Sequence, residues 1–196
     1  ITPDHPMFDD TGMTAPASLP SDDYCASTAG FCNNKIIVAR HYTPDDYTSN
    51  PSKYEGEFNT PQAFSGHGTH VAAIAGGREV VADSGETLVG VAPAAYLMVY
   101  KALWGEQGVG TTVMLISALE DAFADGADVI NNSYGLPNTD NNNGSIFDSV
   151  FKELEANGVV LVSSAGNEGD QGAETISCPA CVQSGIAVAS TTTDLI

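Results

Sequence analysis

An alternation of short apolar segments with longer amphipathic segments constrains the fold of this chain more than any other feature. The apolar segments are "KIIVAR" (35–40), residues 96–103, "ADVINNS" (127–133), "VVLVSSAGN" (159–167) and "GIAVAS" (185–190). Such segments are typical of parallel strands that are buried on both faces, and amphipathic helices cover sheets of this kind. We therefore predict an α/β fold, a mostly parallel twisted sheet with helices on both faces.

Three segments are predicted to form the helices. The first, "HGTHVAAIAGG" (67–77), is rich in alanine and glycine. The second, 110–126, has a threonine to cap its start, Gly126 to end it, and an apolar stripe at Leu115, Leu119, Ala122 and Phe123. The third, 144–158, has Ser145 as its cap, Asn157-Gly158 at its end, and apolar residues at Phe147, Val150, Phe151 and Leu154. The Asn-rich stretch "NTDNNNG" (138–144) before it is predicted to be a turn.

Length and charge restrict the classes of function. The 196 residues are enough for one domain, and 42% of them are hydrophobic, so a core is expected. Six Lys and Arg against 25 Asp and Glu give a formal net charge of −19, which makes nucleic acid and anionic membrane lipid poor partners. No apolar run reaches the length that spans a membrane.

The two ends of the chain indicate a partial domain. Residue 1 is Ile, and neither a basic region nor an apolar leader follows it. The last residues, "ASTTTDLI" (189–196), come directly after a predicted buried strand. We expect residues 1–196 to be one domain that is incomplete at both ends.

Four cysteines form two local pairs, Cys25 with Cys32 and Cys178 with Cys181. Short disulfides, zinc ligation and free thiols would each be compatible with this spacing. The "CPAC" stretch resembles half of a zinc site, but no second Cys-x-x-Cys or His-x-x-x-His completes it. Disulfides formed in an oxidising compartment are therefore favoured.

Candidate functional residues follow from the rule that ligands of parallel sheets bind near the carboxyl ends of the strands. Asn167 comes directly after a predicted strand, where its amide could donate to a developing oxyanion or simply occupy a turn. Ser133, Tyr134 and Gly135 follow another strand, and their backbone could pair with an extended peptide or merely end that strand.

Two histidines stand at the start of the first predicted helix. His67 lies between two glycines, and the helix dipole at that position disfavours the imidazolium, so the ring suits a general base. His70 lies one turn further, beside alanines, and is expected to be packed or hydrogen-bonded. Spacing alone favours two structural histidines. Catalysis by His67, or a metal site with His67, His70, Cys178 and Cys181, remains an alternative.

Several motifs together resemble the subtilisin-like serine peptidases. "SGHGTHVAAIAGG", "GVAPAAYLMVYKALW", "DGADVINNSYG" and "VVLVSSAGNEG" occur in the order of that family's motifs and at compatible spacing. The opening "ITPDHPMFDDTGM" and the stretch "CNNKIIVARHY" are similar to the cucumisin-like plant enzymes and to related secreted bacterial ones. The resemblance covers essentially the whole chain.

The resemblance implies a serine endopeptidase with roles for individual residues. His67 would be the general base of an Asp-His-Ser triad, and Asn167 the oxyanion-hole donor. Ser133, Tyr134 and Gly135 would form one wall of a cleft for an extended polypeptide, and Ala165 and Gly166 the facing wall. The plant-like branch also has a cysteine pair that matches Cys25 and Cys32.

The resemblance also implies properties of the whole protein. A secreted monomer is expected, and the full-length protein can include a propeptide or a protease-associated domain. No cofactor is expected; the family often uses structural calcium, but no Asp-rich calcium loop is identifiable.

Two members of the triad are missing from the motifs. Asp10-Thr11-Gly12 resembles the aspartate motif, but the prolines before it exclude a central strand, so Asp10 is interpreted as a loop residue. No Gly-Thr-Ser or Gly-x-Ser-x-Gly occurs. We expect the aspartate before Ile1 and the serine beyond Ile196, so that this chain alone is inactive. A non-catalytic peptide-binding module is the alternative.

Overall fold

Each predicted apolar segment contains a strand in the computed structural model, which describes residues 1–136 and 142–191. The strands are β1 (Ile36–His41), β2 (Val80–Val81), β3 (Thr87–Leu88), β4 (Leu97–Lys101), β5 (Val129–Asn132), β6 (Val160–Ser164) and β7 (Ile186–Val188). The α-helices are α1 (Tyr24–Ser27), α2 (His67–Gly76), α3 (Thr112–Ala124) and α4 (Asn142–Ala156), and 3-10 helices occur at Pro6–Phe8, Pro51–Tyr54 and Gly169–Gln171. The chain divides into two compact units, Ile1–Asp121 and Ala122–Ile196.

Parallel strands form the main sheet of each unit, which confirms the predicted α/β class. In the first unit β1 pairs with β4 in parallel, and the β-branched residues of β1 are fully buried. In the second unit β5, β6 and β7 form a parallel sheet in that order. The antiparallel hairpin of β2 and β3 was not predicted, because each strand has only two residues.

The helix caps agree with the sequence where the structure describes them. Thr111 Oγ1 accepts a hydrogen bond from Met114 N at 3.3 Å, and Gly126 ends α3 with φ +90°. Asn157 closes α4 by donating from Nδ2 to the Glu153 carbonyl at 2.8 Å. Helix α4 begins at Asn142, before the predicted cap. The side chain of Ser145 and most of the predicted turn at 138–144 lie outside the described residues.

The apolar stripe of α3 needs one correction. Leu115, Leu119 and Ala122 are buried as predicted, but Phe123 is 39% exposed and Met114 is buried instead. Met114 and Phe123 lie on opposite margins of the stripe, because successive residues of a helix are about 100° apart. Compared with the predicted stripe, the buried face of α3 is therefore rotated about the helix axis, away from Phe123 and toward Met114.

The end of α2 packs against backbone with no space for a side chain. Gly90 N donates to the Gly77 carbonyl at 2.9 Å, and a Cβ on Gly90 would lie 2.4 Å from Gly77 N and 2.6 Å from the Ala73 carbonyl oxygen. Backbone atoms cannot move aside as the end of a flexible side chain can. This contact fixes the end of the helix that begins with His67.

We expect Gly90→Ala to lower the free energy of unfolding by about 1–3 kcal/mol, the usual range for overpacking. Urea denaturation followed by circular dichroism measures the change. Gly68→Ala is the matched control, because a Cβ on Gly68 meets nothing within 4 Å and alanine favours the helix. Equal effects of the two substitutions would contradict the close approach at Gly90.

Candidate functional site

The predicted site residues belong to two units. His67 lies in the first unit, and the residues at the strand ends, Ser133 to Gly135 and Ala165 to Asn167, lie in the second.

His67 is the first residue of α2, directly after its cap Gly66, and it is exposed. The helix turn closes behind it through the bond from His70 N to the Gly66 carbonyl at 2.9 Å. Thr69 is buried in the same turn, and its Oγ1 accepts from Thr2 N at 2.9 Å. The first turn is therefore fixed from its inner side, while His67 itself is exposed.

His70 differs from the prediction. It is exposed, whereas the sequence indicated a packed or hydrogen-bonded ring.

A buried ion pair anchors the loop that leads into His67. Lys101 Nζ lies 2.7 Å from Glu57 Oε1, and the side chains are 8% and 1% exposed, respectively. The same ammonium donates to the carbonyls of Phe58 at 2.8 Å and Gln62 at 2.9 Å, and Glu57 Oε2 accepts from Gly105 N at 2.6 Å. Lys101 is the last residue of β4, so the pair ties residues 57–62 to the end of a strand.

His41, the last residue of β1, lies in an aromatic cluster near this ion pair. Its ring centroid is 5.8 Å from that of Tyr24 and 6.3 Å from that of Trp104, and Lys101 Nζ lies 4.2 Å above the Trp104 ring. Burial, and secondarily the charge of Lys101, lower the pKa of His41 below its usual value of 6.5. The fold therefore favours the neutral imidazole.

We expect stability to fall as the pH drops below about 6.5, because the unfolded chain then binds a proton that folded His41 resists. His41→Phe keeps a ring between Tyr24 and Trp104 but cannot be protonated. The difference in unfolding free energy between about pH 7 and about pH 5 should shrink in this variant. Urea denaturation at both pH values measures it, with exposed His70→Gln as the control. An unchanged pH dependence in His41→Phe would refute the prediction.

A cavity of about 280 Å³ lies beside the Trp104 ring. Lys53, Tyr54 and residues of the turn that follows Trp104 line it. None of the predicted site residues contributes to its wall.

In the second unit the structure brings the two predicted walls together. Ser133, Tyr134 and Gly135 follow β5, and Ala165 and Gly166 follow β6, its parallel neighbour. Ser164 Oγ donates to the Tyr134 carbonyl at 3.3 Å, which joins the two strand ends. Asn131 Nδ2 donates a hydrogen bond to Ser133 Oγ at 2.8 Å.

Asn167 is exposed at the end of β6, after Gly166, whose φ is +101°. Its backbone N–H donates to Glu168 Oε2 at 2.8 Å. Its side-chain amide has no hydrogen-bond partner among the described residues. The side chain is thus the group of Asn167 that is free to donate to a ligand.

Ser177 was missed by the sequence reasoning, although it joins the walls. It is 3% exposed, and its N–H donates to the Ala165 carbonyl at 3.0 Å. A Cβ on Gly135 would lie 2.6 Å from Ser177 Cβ, and one on Gly166 would lie 2.6 Å from Ser177 Oγ. Ser177 Oγ donates to Glu168 Oε2 at 3.1 Å. The only local signal was its place directly before the "CPAC" stretch.

Both cysteine pairs form disulfides in the structure. Cys25 pairs with Cys32 with their Cα atoms 5.4 Å apart, and Cys178 pairs with Cys181 at 4.7 Å. Joined sulfurs are not thiolate ligands, so the alternative of a metal site that uses Cys178 and Cys181 is wrong for this structure. Within residues 1–136 and 142–191, no group of three or more His, Cys, Asp or Glu side chains is arranged to hold a metal ion.

A family model described as the subtilase family, Peptidase S8, matches residues 1–195. This chain belongs to the subtilase family. The match extends across both units, and it agrees with the motif resemblance in the sequence.

Curated relatives of this subtilase are longer than the chain. It is 35% identical over 188 residues to a subtilisin-like protease of Arabidopsis thaliana, SBT1.9, covering 86% of this chain and 25% of the relative. It is 33% identical over 171 residues to the major intracellular serine protease of Bacillus subtilis (strain 168), covering 86% of this chain and 49% of that protein. The chain thus spans between a quarter and a half of these relatives.

A solved structure supports the subtilisin-like fold of this subtilase. The prenylagaramide maturation protease PagA aligns with a TM-score of 0.52 and 26% identity, covering 62% of this chain and 41% of that one.

No helix in the described parts of this subtilase is long and apolar enough to cross a membrane.

Asp10 of this subtilase lies in a turn, as the prolines before it predicted. It follows the 3-10 helix Pro6–Phe8, and its Oδ2 accepts from Asn34 N at 2.8 Å. This bond ties Asp10 to the residues just before β1.

Proposed function

We propose that this subtilase sequence belongs to a serine endopeptidase that cleaves extended polypeptides through an acyl-enzyme intermediate. The observation that carries the proposal is the family match over residues 1–195, which includes an exposed His67 at a helix start and Asn167 with an unengaged amide at a strand end. These are the side chains that the family resemblance assigns to general base and oxyanion donor.

The proposed chemistry uses the two side chains at successive steps. His67 accepts the proton of a serine hydroxyl as the oxygen attacks the scissile carbonyl, and then returns it to the leaving amine. Asn167 donates from its side-chain amide to the oxyanion of the tetrahedral intermediate. Its backbone N–H does not contribute, because Glu168 already accepts from it.

The strand ends of the second unit suit an extended substrate. In the proposal Ser133, Tyr134 and Gly135 pair with the substrate backbone, and Ala165 and Gly166 form the facing wall. The contact of both walls with Ser177 supports this assignment, because it fixes their separation.

The aspartate and serine of the triad are assigned to sequence outside residues 1–196, since no matching motif occurs within them. The protein is proposed to act as a secreted monomer, and the two disulfides support an oxidising compartment. No step of the proposed mechanism uses a metal ion.

The test compares two polypeptides from the same gene. The 196-residue chain alone should show no hydrolysis of fluorescently labelled casein, whereas the polypeptide translated with its flanking sequence should hydrolyse it and lose that activity on His67→Ala. Turnover by the short chain, itself lost on His67→Ala, would contradict the assignment of the serine. An inactive long polypeptide that still binds peptide would favour the second candidate, a non-catalytic peptide-binding module.

A further inference from the structure

We infer that Tyr134 is a positioning residue that sets the separation of the two strand ends proposed as cleft walls. The inference rests on the proposed function, since that function makes these strand ends a substrate cleft. It concerns the phenol of Tyr134, which the sequence reasoning treated only as part of an exposed backbone.

Tyr134 is fixed at both ends. Its hydroxyl donates to Asn132 Oδ1 at 3.0 Å, and its carbonyl accepts from Ser164 Oγ at 3.3 Å. Asn132 is 2% exposed, and its Nδ2 donates to the Val162 carbonyl at 3.4 Å. A chain of hydrogen bonds therefore runs from β6 through Asn132 to the Tyr134 ring, and returns to β6 from the Tyr134 backbone.

These side-chain bonds lie where the sheet no longer holds the strands. The pairing of β5 with β6 ends at Asn132 opposite Ser163, and residues 133–135 continue beyond it. At the far side, Leu136 and Cys178 exchange backbone bonds of 2.9 Å, and Ser177 N bonds to Ala165. Between these two attachments, Tyr134 and Ser164 provide the direct link between the walls.

The surroundings keep the Tyr134 hydroxyl protonated, so that it remains a donor. Burial raises the pKa of this phenol well above its usual value of 10.0, and no charged group is among the causes of the shift. The hydrogen bond to Asn132 is accordingly between two neutral groups in a low dielectric, where an unpaired partner is costly.

Tyr134→Phe tests the inference on the folded 196-residue chain. Hydrogen exchange read by mass spectrometry should accelerate about fivefold at residues 133–135 and 165–167, as expected for the loss of one net hydrogen bond. Exchange in α4 should not change. Tyr96→Phe is the matched control, because it also removes one phenol hydrogen bond, to the Thr14 carbonyl, but in the first unit.

A second variant separates positioning from stability. Tyr134→Phe leaves the buried Asn132 Oδ1 without its donor, whereas Tyr134→Phe combined with Asn132→Leu removes both polar groups. The double variant also loses the long 3.4 Å bond from Asn132 to the Val162 carbonyl, so it should recover part of the lost stability. If Tyr134 positions the walls, exchange at 133–135 stays fast in the double variant. Exchange that returns to the wild-type rate together with stability would overturn the inference, as would unchanged exchange in Tyr134→Phe.

Peptide binding and turnover connect the inference to function. Fluorescence anisotropy with a fluorescein-labelled hexa-alanine should show a Kd about fivefold higher for Tyr134→Phe. In the longer active polypeptide, KM should rise while kcat is retained, because His67 and Asn167 are untouched. The proposed function would be contradicted by two results together: the wild-type 196-residue chain binds no peptide, and the longer polypeptide has no activity. The exchange data would still decide whether Tyr134 sets the wall separation.

Discussion

Replacing Lys101 by methionine is expected to lower the free energy of unfolding by about 3–5 kcal/mol, the range for breaking a buried ion pair by removing one partner. The substitution keeps the apolar stem but leaves the Glu57 carboxylate, 1% exposed, without a counter-ion and with only the N–H groups of Phe58 and Gly105 as hydrogen-bond donors among the described residues. It also removes the donor to the Phe58 and Gln62 carbonyls. Urea denaturation at neutral pH measures the loss.

The size of the effect follows from desolvation rather than from the attraction alone. Burial lowers the pKa of Lys101, and the hydrogen bond and charge of Glu57 oppose that shift. The attraction between Lys101 and Glu57 therefore offsets only part of the free energy that burying the Lys101 charge costs. Combining Lys101→Met with Glu57→Leu removes both charges, and we expect the double variant to be more stable than Lys101→Met.

Lys152→Met is the matched control for Lys101. Lys152 pairs with Asp148 at 2.6 Å on the surface of α4, with the two side chains 57% and 34% exposed, and such pairs contribute about 0.3–0.5 kcal/mol. A loss at Lys101 no larger than the loss at Lys152 would show that the Glu57 pair does not anchor residues 57–62.

If the proposed function holds, replacing Asn167 by leucine should reduce the kcat of the polypeptide translated with its flanking sequence by about 10²–10³ while KM stays nearly constant. We adopt this magnitude from subtilisin, where it is the measured effect of removing an asparagine oxyanion donor. The physical reason is specific to the transition state, because the amide has no partner among the described residues and is proposed to meet a negative oxygen only in the tetrahedral intermediate.

Asn157→Leu is the control for Asn167. It also replaces an exposed asparagine of the second unit, but one that caps α4 through the Glu153 carbonyl, so stability can fall while kcat should not. Initial rates with a fluorogenic peptide at saturating concentration measure both variants. A kcat of Asn167→Leu within about twofold of the wild type would remove Asn167 from the proposed oxyanion hole.

Local patterns predicted the elements of this fold well, because hydrophobic periodicity and capping residues act over a few neighbouring positions. The strands around Ile36 and Leu161, and the Thr111 and Gly126 limits of α3, are of this kind. The burial of Phe123 was predicted wrongly, because periodicity locates a stripe on a helix but not the exact rotation of that helix in the core.

Contacts between distant segments could not be predicted in this way. Glu57 and Lys101 are 44 residues apart, and neither has a local pattern that marks it as buried. Ser177 is likewise ten residues beyond Asn167, and its contacts with Gly135 and Gly166 depend on the path of the intervening loop. Family resemblance located the candidate site, whereas its supporting contacts required coordinates.

The crowding of Gly135 against Ser177 has a consequence for how this sequence can evolve. A methyl group at position 135 has no space while Ser177 retains its Cβ, which would lie 2.6 Å away. The two positions are therefore epistatic. Gly135→Ala should be tolerated once Ser177→Gly has occurred, whereas Gly135→Ala in a chain that still has Ser177 should destabilise the fold. Ser177→Gly would not make Gly166→Ala tolerable, because the φ of +101° at Gly166 disfavours any side chain there, whichever residue is at position 177.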